Sequence, residues 1–315
     1  MTRIGLVLGA GGTVGHAYHA GVLAAIERGL GWDPRSAEII VGTSAGSIIA
    51  ALLRAGQSAD DLARSSLGHE LSPEGADLVA RTGQRTKLAM PGPQHADVVR
   101  GSSAMSLLLR PWGIRAGVLA AALLPAGKVS TEAVAAGVRA IYGTSWPERP
   151  TWICAARLDD GRLVAFGRQG APATSMADAV AASCAIPAYF KPVEIGGRRY
   201  IDGGTYSVTN ADLLAGIGLD LVIVSCPMGA TREGLRGVDM AIRAGVRARL
   251  AREIEVVRRS GTPVLTFQPT RDVRSVMGSN PMSARRGPAV TAAALDSTLE
   301  RLKAEDVQER LAALA

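Results

Sequence analysis

Histidine runs out early in this sequence. His16, His19, His69 and His95 are all there are, and none follows through to residue 315. A serine triad in the chain order Ser, acid, His needs a late imidazole, so that arrangement is disfavoured. Aromatic residues make up only 4%, too few for the stacking platforms of single-strand nucleic-acid binders. The basic residues are scattered arginines, and no nucleic-acid partner is expected. Cysteine is scarce as well. Cys154, Cys184 and Cys226 lack any CxxC pair and sit in apolar runs such as TWICAAR and LVIVSCP. They read as reduced thiols of a cytosolic protein, and no metal site is expected. Long apolar runs are also missing. The longest, Ala116 to Ala126, falls short of the about 20 residues a spanning helix needs. The opening MTRIGLVLGAGG runs straight into a glycine loop and reads as a first strand, not a signal peptide.

What the chain does have is apolar mass. With 47% apolar residues in 315 it supports a substantial core, and a single α/β domain over 1–315 is the expectation. Its 35 Lys and Arg against 28 Asp and Glu give +7, which favours attraction to anionic surfaces. Strand-length apolar runs alternate with helix-length amphipathic stretches, the pattern of a sheet covered by helices on both faces. Strands are expected at Ile4–Leu8, Ile39–Val41, Thr151–Ala156, Arg162–Phe166, Arg199–Asp202, Leu219–Ser225 and Val264–Phe267. Helices are expected at Ala17–Arg28, Ser44–Arg54, Met176–Cys184, Leu235–Arg259 and Val290–Leu314. Between 57 and 127 the pattern loosens around RTGQRTKLAMPGPQ and reads as a helical or loop insertion at the sheet edge. Within it, Met105 to Leu109 and Trp112 to Leu124 either line an apolar groove or pack a satellite cluster. In the Leu235–Arg259 helix, Leu235, Val238, Ile242, Val246, Leu250 and Val257 form a stripe expected to face the core. Arg236, Arg243, Arg247 and Arg252 are expected on its solvated side, with contact to an anionic membrane as the alternative.

Three short segments carry candidate chemistry. The loop Gly9-Ala10-Gly11-Gly12-Thr13-Val14-Gly15 follows a strand and opens a helix, so its amides point at whatever anion sits there. A dinucleotide site would want an acid at the end of the second strand. That strand ends instead in Gly42-Thr43-Ser44-Ala45-Gly46, so no cofactor is expected. The loop is then an oxyanion hole or only a tight turn. In GTSAG, Gly42 and Gly46 leave room for a strained elbow exposing Ser44 as a nucleophile, with the Ala45 amide facing a developing oxyanion. The alternative is that Ser44 is an ordinary helix N-cap. With histidine absent downstream, the carboxylate at the strand end in Arg199-Tyr200-Ile201-Asp202-Gly203-Gly204 is the candidate base, or else Asp-Gly-Gly is simply a turn. His16 and His19 read as packing or solvent residues.

Taken in order, the glycine loop, the helix carrying GVL, GTSAG, and SCAIPAYFKPVEIGGRRYIDGG with TNADLL after it resemble the patatin-like phospholipase family. The likeness covers about Ile4–Arg54 and Ala177–Val224. It implies a three-layer α/β/α fold with a mostly parallel central sheet. It also implies a Ser–Asp dyad with Ser44 as nucleophile and Asp202 as general base, Gly11 and Gly12 as oxyanion donors, and a lipid acyl hydrolase acting on phospholipid or other acyl-lipid esters. A cytoplasmic protein, peripheral to the membrane, fits that implication. Val14 stands where relatives often carry Arg or Lys. A lipid-binding or scaffold protein that keeps the fold without activity is the competing reading.

Overall fold

The computed structural model describes residues 2–82, 116–124, 127–231 and 240–312. The near-continuous apolar runs form a parallel core of strands, as expected for strands buried on both faces. β1 (Ile4–Leu8) lies between β2 (Ile39–Thr43) and β7 (Leu221–Ser225), with β8 (Val264–Phe267) beyond β7, all parallel. β3 (Thr151–Arg157) continues the parallel run beside β2, and three antiparallel strands complete the sheet: β4 (Leu163–Phe166), β5 (Val193–Ile195) and β6 (Arg198–Asp202). The result is a mixed, mostly parallel eight-stranded sheet.

The register along β3 decides where the site forms. Ile153 and Cys154 pair with β2 and with β4, while Ala155 and Ala156 pair with β4 and with β6. A strand has only two edges, so β2 and β6 share one and β4 occupies the other. β2 and β6 therefore run toward each other and meet end to end, Thr43 opposite Cys154 and Asp202 opposite Ala155. The residues just past these two strand ends are brought together by backbone pairing alone.

Helices cover the sheet. α1 (Gly12–Leu30) and α2 (Ala45–Arg54) follow β1 and β2 directly. Then come α3 (Ala59–Leu67), α4 (Pro73–Thr82), α5 (Ala116–Leu123), α6 (Glu132–Tyr142), α7 (Met176–Ser183), α8 (Met240–Arg259), α9 (Arg271–Met277), α10 (Gly287–Leu302) and α11 (Glu305–Ala312). α1 is almost wholly apolar from Val14 to Ile26, and α10 lies so close that a Cβ on Gly21 would meet the Thr291 carbonyl and Ala294. The Thr291 hydroxyl caps this contact by donating to the Ala17 carbonyl at 3.0 Å. Val14 is buried in the same cluster. No helix among the described residues is long and apolar enough to cross a membrane.

The long arginine-rich helix departs from expectation. Leu250 and Val257 are buried as the stripe requires, but Ile242 is 64% exposed. Among the described residues, the helix joins the core through Val246, Leu250, Ile254 and Val257. Arg243 is half-buried, not solvated, and donates to the carbonyls of Pro227 and Gly229. Leu235, Arg236 and Val238 lie outside the described residues, as do Met105 to Leu109, Trp112 and His95.

Candidate active site

Ser44 sits between β2 and α2 with φ 52 and ψ −119, a conformation disfavoured for any residue with a Cβ. Such a residue costs roughly 1–3 kcal/mol and persists only where its surroundings over-determine it. Here they do. A Cβ on Gly46 would run into the Leu8 carbonyl of β1, and one on Gly42 would come within 2.7 Å of the Ser47 Cα. Glycine at both places lets α2 start directly over the strand ends. The Ser44 amide donates to the Ser183 hydroxyl at 2.8 Å, and that hydroxyl donates to the Cys154 carbonyl at 2.7 Å. The Ser44 carbonyl accepts from the Ser47 hydroxyl at 2.6 Å and the Ser47 amide at 2.8 Å. Ser44 is thus not an ordinary N-cap, since its side chain makes no capping bond to α2. The amide of Ala45, at the positive end of α2, has no hydrogen-bond partner among the described residues.

Asp202 closes the gap from the other side. Its carboxylate accepts from the Gly204 amide at 2.7 Å, and it is only 5% exposed. Burial pushes it up to about 6, against the opposing pull of the neighbouring Ser44 hydroxyl and the Gly204 amide. Gly203 is needed because a Cβ there would strike the Cys154 carbonyl and crowd Thr43.

The glycine loop lies beside the elbow, since Leu8 at the end of β1 pairs with Gly42. The Gly9 amide donates to Ser225 and the Ala10 amide to Val208, at 3.0 and 2.8 Å. The amides of Gly11 and Gly12 have no partner among the described residues. Gly12 has φ 63, and a Cβ there would stand 2.8 Å from the Pro281 carbonyl, which itself accepts the Val14 amide. Gly12 is therefore required by backbone geometry before any chemistry is considered. Gly15 packs closely on Pro227.

His19 is fully buried beneath this loop, and sequence reasoning gave it no role in the loop. Its Nε2–H must donate to the Gly9 carbonyl, 2.7 Å away, so Nδ1 accepts from the Ser225 hydroxyl at 2.8 Å. Burial lowers its pKa to about 3, which keeps the ring neutral. His16 is lowered to about 4 for the same reason. His69 is exposed, and no histidine among the described residues hydrogen-bonds Ser44. No short motif marks His19 or Ser183, because each acts through hydrogen bonds to groups distant in sequence or to backbone atoms. No cluster of three or more His, Cys, Asp or Glu able to hold a metal occurs among the described residues.

With this geometry in place, comparison with known proteins is decisive. A model of the patatin-like phospholipase family matches residues 6–215, two thirds of the chain. The chain belongs to the patatin-like phospholipase family. Members of this patatin family are lipid acyl hydrolases. Among solved structures, the type III effector protein ExoU is similar at 19% identity with a TM-score of 0.37, covering 98% of this chain and 53% of that one. VipD from Legionella pneumophila is similar at 16% identity with a TM-score of 0.41, covering 94% of this chain and 67% of that one. The chain thus spans about half the length of the first and two thirds of the second. Comparison with curated proteins finds no match. The family match covers the glycine loop, the elbow and Asp202, and stops just after the TNADLL segment.

Proposed function

We propose that this patatin-like protein is a serine-dependent lipid acyl hydrolase that cleaves carboxylic esters of phospholipids or related acyl lipids through an acyl-enzyme. One observation carries the reading: a strained serine stands where the ends of β2 and β6 meet, beside an enclosed aspartate that burial pushes up to about 6. An ordinary aspartate is a poor base for an alcohol, and raising its proton affinity toward the working pH improves it.

The Ser44 oxygen attacks the ester carbonyl carbon while its proton passes to the Asp202 carboxylate. The charge that develops on the carbonyl oxygen is met by the free amides of Gly11, Gly12 and Ala45. On collapse the alcohol leaves with the proton from Asp202, and the acyl group stays on Ser44. Water then attacks the acyl-enzyme and gives a proton to Asp202; on collapse that proton passes to the Ser44 oxygen, which releases the fatty acid and restores both groups. General-base help of this kind is worth ~10²–10⁴ in rate and each oxyanion donor ~10²–10³.

The acid limb of the pH profile follows from the same group. Activity needs Asp202 unprotonated, so kcat/KM is expected to fall tenfold per unit below about pH 6. A profile flat down to pH 4.5 would mean that another group takes the proton. The substrate is tested by comparing wild type and Ser44→Ala on phospholipid, lysophospholipid and acylglycerol esters in vesicles with and without anionic lipid. Cytoplasmic placement at the face of an anionic membrane belongs to the same proposal. It is supported by the +7 charge and by the exposed Arg252, Arg258 and Arg259 of α8. Faster cleavage in anionic vesicles is the expected outcome, and no ester cleavage by wild type would sink the reading.

A further inference from the structure

We infer that Glu253, on α8 and outside the family-matched part of the chain, is a positioning residue that holds the candidate dyad and the glycine loop in register. The inference rests on the reading of Ser44 and Asp202 given above.

The connection from Ser207 to Ala211, which follows Asp202-Gly203-Gly204, touches both other parts of the site. Its Val208 carbonyl accepts the amide of Ala10, the residue before Gly11, at 2.8 Å. Its Asn210, held at φ 55 and ψ 34, donates from Nδ2 to the hydroxyl of Thr43, the residue before Ser44, at 3.1 Å. A second Nδ2 bond reaches back to the Ser207 carbonyl at 2.8 Å. This short segment is the common support of the elbow and the loop, yet it has no strand pairing of its own to fix it.

Glu253 supplies the fixing. Its side chain is 1% exposed. Oε1 accepts from the Ser207 hydroxyl at 2.5 Å and from Arg249 Nε at 2.8 Å. Oε2 accepts from the Thr209 hydroxyl at 2.5 Å and from the Ala211 amide at 3.0 Å. Three of the four donors belong to the segment, and both carboxylate oxygens are used. Arg249 lies 3.5 Å from Asp212 as well, so the cation is shared between the helix and the segment's far end. A buried carboxylate in an arginine-rich helix, engaged this way, sets the position of Val208 and Asn210 and through them the oxyanion amides and the nucleophile.

Glu253→Gln changes one acceptor into a donor and breaks the pattern with little change of volume. We expect it to lower kcat on an acyl ester at least tenfold with KM within about twofold, and to slow labelling of Ser44 by a fluorophosphonate probe by a similar factor. Val257→Ala, one turn along the same helix in the core, controls for mere loss of stability. It should melt earlier yet keep kcat within about threefold. If Glu253→Gln does not fold, Ser207→Ala with Thr209→Val removes two of the donors from the other side and should show the same loss of kcat. Wild-type labelling that is unchanged in whichever Glu253 or Ser207/Thr209 variant folds, or a kcat loss no larger than that of Val257→Ala, overturns the inference alone. Wild type that fails to label at Ser44 removes the hydrolase reading and this inference with it.

Discussion

Asp202→Asn is expected to lower turnover by about 10² or more while leaving the protein at least as stable as wild type at pH 7. The loss follows from removing the group proposed to take the Ser44 proton. The stability follows from burial. In the folded chain the Asp202 carboxyl holds its proton up to about 6, against 3.8 for an ordinary aspartate. A raised folded value means that protonation favours the fold, so this group's contribution is fully present below pH 3.8 and is lost as the pH rises through 6. Above pH 6 wild type therefore carries a cost of about 3 kcal/mol that an amide does not. Asparagine keeps an oxygen for the Gly204 amide and turns its nitrogen toward the Ser44 oxygen. Melting curves of the two proteins should converge at pH 4 and separate in favour of the variant by pH 7. A variant that keeps wild-type turnover contradicts the dyad.

The second large effect is that of Ser44→Ala, which should bring ester cleavage to background across the whole substrate panel. Alanine inherits the same strained backbone, φ 52, and no capping bond is lost, so the fold should survive. Residues that act as a unit are not additive, and removing a shared nucleophile can cost on the order of 10⁶. Ser44→Ala combined with Asp202→Asn should therefore be no slower than Ser44→Ala alone. Further loss in the double variant would mean that the aspartate works on something other than Ser44.

How much of this was legible in the sequence depends on how local the cause is. β1 and β8 match their expected bounds, and most other strands differ by one or two residues, because an apolar run flanked by glycine is set by its own composition. GTSAG could be read because the elbow's two glycines are dictated by contacts within a few residues and with the neighbouring strand end. The α1 start at Gly12 was missed by five residues, since the glycine loop itself forms the first turn. The closing helix proved to be two, α10 and α11, with the break at Lys303. β5, α6 and α9 were missed outright, β5 and α9 being only three and seven residues long. Meeting of Ser44 and Asp202 rests on antiparallel pairing of β6 to the far end of β3, which no local pattern announces. Only the resemblance of the motifs pointed to it. Glu253 was hidden most deeply, because in sequence it is one acid among the arginines of α8, and its four donors come from residues 42 to 46 positions away and from one turn back.

The central claim is that Ser44 is an activated nucleophile, and the most direct measurement is to treat the purified protein with a fluorophosphonate and locate the adduct by peptide mass spectrometry. The account predicts a single adduct on the peptide containing Gly42 to Gly46, at Ser44, formed more slowly below pH 6 and absent in Ser44→Ala. An adduct on a different serine, or a folded protein that hydrolyses acyl esters without being labelled at Ser44, would contradict it.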